Sequence, residues 1–207
     1  MSVKIKLCGM MRPEDIQTAN ALMPDYVGFI FAPGSRRAVS HGMAKALSAA
    51  LDLGITPVGV FVDAPLKEMV SLVNKGIIRA IQLHGKEDEA TICALKEVVS
   101  VPIIKAFSMT QPGDGARARA SSADLVLLDN GPGGTGAVFD WALIQEMDRP
   151  YLLAGGLTPD NVGMAIQGHA PWGVDASSGI ETQGKKDPEK MQHFVAAVRK
   201  TNKKEKP

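Results

Sequence analysis

Eight short, almost wholly apolar runs recur along the 207-residue chain at near-even intervals, and they constrain its fold more than any other feature. They read VKIKLC, YVGFIF, PVGVFV, IRAIQL, PIIKAF, DLVLLD, PYLLAG and WGVDAS. Runs of this length without polar alternation are expected of strands buried on both faces, which is the situation of a parallel sheet covered by helices. Between them lie segments with helix-start signals. Pro13 stands at a first-turn position followed by Glu14 and Asp15, Asp63 to Pro65 precede LKEMVSLVN, Thr158 and Pro159 precede DNVGMAIQ, and Asp187 and Pro188 precede EKMQHFVAAVRK. Strand then helix, eight times over, predicts an α/β protein: a single-domain (β/α)8 TIM barrel over residues 1–200. A doubly wound open sheet is the alternative, but it uses five or six strands in a chain of this size. Residues 201–207, charged and without an apolar face, are expected to form a disordered tail.

Composition narrows the function. With 45% hydrophobic residues and a formal net charge of +1, the chain has no charge excess that would favour nucleic acid or an anionic membrane surface. No apolar run approaches the length of a spanning helix, and the N-terminus lacks a signal-peptide core. The two cysteines, Cys8 and Cys93, are too few for a disulfide scaffold and fit reduced thiols in a cytoplasm. No exposed apolar stripe is evident, so a monomer is the default expectation and a helix-face homodimer the alternative. There is no cluster with metal-ligand spacing and no dinucleotide fingerprint, so neither a metal nor a nicotinamide is implied.

In a barrel of this kind, chemistry is delivered from the C-terminal strand ends. Strand one ends in Cys8, strand two leads into PGSRRAVS with Arg36 and Arg37, and strand four ends in Gln82 and His84. Strand five ends near Lys105, strand six in Asp129, strand seven in Gly155 and Gly156, and strand eight in Asp175, Ser177, Ser178 and Gly179. Glycines after strand seven allow close backbone approach, and SSGIE after strand eight offers hydroxyls and backbone N–H groups at a short helix start. Together they read as a phosphate cradle. The competing reading is a turn followed by an ordinary cap.

Asp129 opens the stretch DNGPGGTG, whose glycines could close over a ligand. A carboxyl group desolvated under such a lid can hold a proton near neutral pH and act as a general acid. An Asx-type turn in which Asp129 caps its own loop is the other possibility. Cys8 would face it across the barrel, either as a base activated by a nearby cation or as a small residue filling a strand end. The arginine pair suits a carboxylate or phosphate, and His84 is either an acid or base or a hydrogen-bonded residue of the mouth.

Taken as a set, KLCGMMRPEDI, GFIFAPGSRRAVS, VGVFVDAP, IQLHGKED, LLDNGPGGTGAVFDW, LAGGLTPDNV and GVDASSGIETQGKKD resemble the phosphoribosylanthranilate isomerase family of tryptophan biosynthesis in order and spacing, from about Lys4 to Phe194. The resemblance implies a cofactor-independent barrel that converts N-(5-phosphoribosyl)anthranilate to 1-(2-carboxyphenylamino)-1-deoxyribulose 5-phosphate by an Amadori rearrangement. It assigns Cys8 as general base, Asp129 as general acid, Arg37, His84 and Asp175 as substrate-binding residues, and Gly155, Gly156, Ser178 and Gly179 as the phosphate site. Many members carry proline where this chain has Arg36, which leaves open which arginine turns inward; register favours Arg37. Related phosphosugar barrels would instead pair two aspartates or bring metal ligands, and a regulatory barrel would bind without turnover.

Overall fold

In a computed structural model the protein is described for residues 2–111, 113–130, 143–144 and 147–204. Eight parallel strands close a barrel in sequence order: β1 (Lys4–Cys8), β2 (Tyr26–Ile30), β3 (Thr56–Phe61), β4 (Ala80–Leu83), β5 (Ile103–Ser108), β6 (Leu125–Asp129), β7 (Tyr151–Leu153) and β8 (Gly173–Ala176). Each strand coincides with one of the eight apolar runs, β3 and β5 reaching one residue beyond theirs at Thr56 and Ser108, and closure excludes the open sheet. Helices α1 (Pro13–Leu22), α2 (His41–Ala49), α3 (Leu66–Asn74), α4 (Glu89–Val98) and α5 (Asp114–Ala120) follow the first five strands, with α6 (Val162–His169) after β7 and α7 (Pro188–Lys204) after β8. The glycine-rich stretch after Asp129, expected to form a lid, lies outside the described residues.

Local chemistry explains where the helices begin. Pro13 opens α1, and Asp15 reaches back to accept the backbone N–H groups of Met11 and Arg12 while holding the Arg12 guanidinium. Ser40 and Asp88 cap α2 and α4 by accepting from Met43 and Thr91. Helix α7 runs to Lys204; within it Thr201 is buried and donates to the Val198 carbonyl, and Asn202 accepts the N–H of Val3. Residues 205–207 lie outside the described residues.

Side-chain parity divides the core in two. On β6, Val126 and Leu128 pack under the helices, whereas Leu125 and Leu127 join Val58, Ala80, Ile104, Leu152 and Ala154 in a separate cluster filling the barrel interior. The same parity turns Lys6 and Cys8, Gln82 and His84, Asp129, and Asp175 inward, since their strand neighbours Ile5, Leu7, Ile81, Leu83, Leu128, Val174 and Ala176 belong to the outer core. A chain of polar residues therefore rises inside the barrel toward the C-terminal mouth. Between β8 and α7 a small hairpin, β9 (Glu181–Thr182) and β10 (Lys185–Lys186), turns through Gln183 and Gly184, both at positive φ as a tight two-residue connection requires.

Candidate active site

The site is built first on the seam between β1 and β8. Lys6 and Asp175 are register partners there, and the Lys6 ammonium lies 3.0 and 3.1 Å from the two Asp175 carboxylate oxygens. Lys6 is wholly buried. Burial works against its charge, but Asp175 and the neighbouring Cys8 outweigh it and hold the ammonium above its usual pKa. Cys8 lies one inward position further up β1. Its Sγ occupies the space a side chain at Gly28 would need, since a Cβ there would come within 2.6 Å of it. Burial pushes the Cys8 thiol up, against the opposing pull of the Lys6 charge.

Above Cys8 the hairpin closes the seam. Arg37 is buried and grips Glu181 with two bonds, Nε to Oε1 at 2.6 Å and Nη2 to Oε2 at 2.9 Å. Arg36 also reaches Glu181, at 3.1 Å, but its side chain is 60% exposed against 7% for Arg37. Arg37 is thus the inward member of the pair. Lys186, the register partner of Glu181, sits 2.7 Å from Oε1 and donates to the Ser177 carbonyl. Burial alone would raise the Glu181 carboxyl, yet hydrogen bonds from Arg37 and Lys186 hold it at about 2. Burial keeps Lys186 below an ordinary lysine despite that carboxylate. The Arg37 side chain crosses directly over Gly9, where a Cβ would fall 2.8 Å from its Cδ.

Asp129 stands on the far side of the mouth. Its Oδ1 accepts the Asn130 N–H at 2.7 Å, and its Oδ2 lies 3.3 Å from His84 Nε2. The bond to Asn130 is the local turn interaction weighed against an acid role; the carboxyl still opens, with His84, Lys105, Phe107 and Arg117, onto a cavity of about 850 Å³. Lys105 is committed elsewhere, to Glu87 at 3.0 Å and the Gly85 carbonyl at 2.7 Å.

Between these two walls lie the loops after β7 and β8. Gly155 and Gly156 both adopt left-handed φ, +82° and +65°, and Gly155 is pressed against Asn130 and Asp129 so closely that a Cβ would meet the Asn130 nitrogen at 2.8 Å. The turn after β8 is a single 3-10 turn, Ser178–Ile180. At Gly179 the two loops touch: an added Cβ would sit 1.9 Å from the Leu157 carbonyl oxygen. Asn161 fixes the first loop, accepting from the Thr158 N–H and donating to the Gly156 carbonyl. Among the described residues, the backbone N–H groups of Gly155, Gly156, Ser178 and Gly179 donate to no partner. That is the composition of an anion nest.

All the residues singled out from the sequence converge on one mouth. Arg37 and Asp175, expected to meet substrate directly, are already engaged by Glu181 and Lys6. Lys6, Glu181 and Lys186 escaped sequence reasoning, and only the alternation in KIKLC and the Gln-Gly turn in ETQGKK hinted at them.

A family model described as N-(5'-phosphoribosyl)anthranilate isomerase matches residues 5–197. The isomerase of that name from Lactiplantibacillus plantarum is 42% identical over 200 residues, covering 96% of this chain and 93% of that one. The crystal structure of phosphoribosyl anthranilate isomerase from Thermotoga maritima superposes with a TM-score of 0.88 at 33% identity, covering 96% of this chain and 99% of that one. A structure of such an isomerase in complex with reduced 1-(o-carboxyphenylamino)-1-deoxyribulose 5-phosphate has a TM-score of 0.85 at 33% identity over the same shares. The Thermotoga maritima enzyme is described as dimeric.

Proposed function

The chain belongs to the N-(5'-phosphoribosyl)anthranilate isomerase family of tryptophan biosynthesis, and we propose that within it Asp129 is the general acid and Cys8 the general base. The reaction converts the phosphoribosyl anthranilate into 1-(2-carboxyphenylamino)-1-deoxyribulose 5-phosphate. The observation that carries the assignment is the order of strands around the ring. Asp129 ends β6 and Cys8 ends β1, and the two loops with unused N–H groups follow β7 and β8, which lie between them. A sugar phosphate anchored in that cradle extends its ribose into the gap between a carboxyl and a thiol.

Asp129 protonates the ring oxygen, the C1–O bond breaks and the anilino nitrogen lone pair forms the Schiff base. Cys8 as thiolate then removes the C2 proton, the electrons of that C–H bond neutralise the iminium, and the enolamine tautomerises to the ketone. The surroundings of Cys8 tolerate the anion. Lys6, Lys186 and Arg37 against Asp175 and Glu181 make three buried cations to two carboxylates, so a thiolate brings the cluster to neutrality. Because burial raises the thiol, its basic form is scarce at neutral pH but strong once formed. Arg37 and Asp175 act as substrate ligands through atoms their ion pairs leave over, Arg37 toward the anthranilate carboxylate, with His84 lining the mouth.

A single barrel is our reading of the working unit, with a homodimer the alternative given the dimeric Thermotoga maritima relative, and a cytoplasmic setting suits the two free cysteines. The test is the decay of anthranilate-type fluorescence on adding protein to freshly formed substrate. Asp129→Asn is expected to lower kcat by roughly 10²- to 10⁴-fold with KM changed by less than about threefold. A rise confined to KM would make Asp129 a binding residue instead.

A further inference from the structure

Beneath Asp129 runs a line of contacts that the mechanism above does not use. Gln82 is 1% exposed and faces the barrel interior from β4. Its Nε2 lies 2.9 Å from His84 Nδ1, and His84 Nε2 lies 3.3 Å from Asp129 Oδ2. The other end of the amide, Gln82 Oε1, is buried without a hydrogen-bond partner among the described residues.

A neutral imidazole has one donor nitrogen and one acceptor. With the Gln82 amide N–H donating to Nδ1, the ring proton of a neutral imidazole sits on Nε2, the nitrogen that lies 3.3 Å from the Asp129 carboxyl oxygen Oδ2. The opposite tautomer would set an N–H of Gln82 against an N–H of His84 and a lone pair against the carboxylate. The recorded orientation of the amide and the approach of Nε2 to Asp129 therefore specify the same tautomer. Asp129 Oδ1 is held by the Asn130 N–H, and Oδ2 is the oxygen turned toward the imidazole.

The unpaired oxygen makes the amide costly. An apolar side chain of similar volume would fill the interior beside Ala80 and Ile104 without leaving a buried acceptor unmet. Local costs of this kind concentrate where a group serves the site rather than the fold.

We propose that Gln82 is a positioning residue for the proton-transfer step: by donating to His84 Nδ1 it fixes the imidazole as the Nε2–H tautomer, and that proton orients the Asp129 carboxyl toward the sugar ring oxygen. The role rests on the reading of Asp129 as the acid. Gln82→Met, which keeps the volume and removes the donor, is expected to lower kcat roughly 10- to 100-fold, with KM within about twofold and thermal stability undiminished. A long-range ¹H–¹⁵N correlation spectrum at neutral pH reads the tautomer directly, with the His84 signals identified by their loss in His84→Gln. Wild type should show a protonated Nε2 and an unprotonated Nδ1, and Gln82→Met a mixture.

Gln82→Glu presents only acceptors to Nδ1 and should draw the proton there, which supplies the same test should the methionine variant fold poorly. A wild-type imidazole protonated on Nδ1, or a variant with tautomer and kcat both unchanged, would overturn the role of Gln82. Full kcat in Asp129→Asn would instead remove the acid assignment and the positioning role with it, even where the tautomer is as expected.

Discussion

Replacing Gly179 by alanine puts the proposed phosphate cradle under a defined mechanical load. An ideal Cβ at that position falls 1.9 Å from the Leu157 carbonyl oxygen, 2.9 Å from its carbon and 3.2 Å from the Thr158 Cα. Carbon and oxygen in even a close C–H···O contact stay about 3.3 Å or more apart, so the loops after β7 and β8 must part by roughly 1.4 Å. All three obstructing atoms are backbone, so no side chain can rotate away.

A bond from a backbone N–H to an anion is best at about 2.7–2.9 Å and is lost beyond about 3.5 Å. Displacement by more than an ångström takes at least one such bond out of range. Each bond to a charged group is worth about 1.5–3 kcal/mol, which converts to a KM increase of roughly 10- to 150-fold. Overpacking also costs about 1–3 kcal/mol of stability. In steady-state fluorescence assays kcat at saturation should fall much less than KM rises, and inhibition by inorganic phosphate should weaken in parallel. Gly163→Ala is the control, since nothing lies within 4 Å of its added Cβ; it should leave both constants unchanged. If Gly179→Ala keeps KM and phosphate inhibition within about twofold of wild type, the unused N–H groups are not the phosphate site.

Three further outcomes test the other wall of the site. Cys8→Ser should lose most turnover in initial-rate measurements, because a hydroxyl is a far weaker base than a thiolate; near wild-type kcat in that variant would move the base elsewhere. Arg37→Gln should raise KM by one to two orders of magnitude, on the order of the loss of one charged hydrogen bond, while Arg36→Gln, whose side chain is exposed, should change it by less than about threefold; equal effects in the same assay would refute the inward assignment. Glu181 is held at about 2 in the folded protein against a usual 4.5, so it contributes stability that is complete above about pH 4.5 and disappears as pH falls toward 2. Glu181→Gln should flatten that part of the stability-versus-pH curve in urea titrations, and an unchanged slope would mean the cluster does not hold Glu181 ionised.

What could be read from the chain and what could not divides along a physical line. Strand positions were legible because a strand buried on both faces must be apolar throughout, a local property. Cys8 and Asp129 were legible because a thiol or carboxyl at the end of such a strand needs only parity and strand direction to reach the mouth. The partners that neutralise the site obey no local rule. Lys6 looks like an ordinary polar interruption of β1 until barrel closure brings β8, and with it Asp175, alongside across 169 positions of sequence. Glu181 and Lys186 sit on strands of two residues, too short for any periodicity, and meet Arg37 only because the hairpin folds back over the seam. The end of α7 follows the same rule: Thr201 and Asn202 have no apolar face of their own, and their bonds go to Val198 and Val3. A buried charge is stable only if its counter-ion is present, and for Lys6 the counter-ion comes from the strand at the other end of the chain, β8. Chemistry at the strand ends is therefore written locally, whereas the charge balance around Cys8 depends on the whole ring being shut.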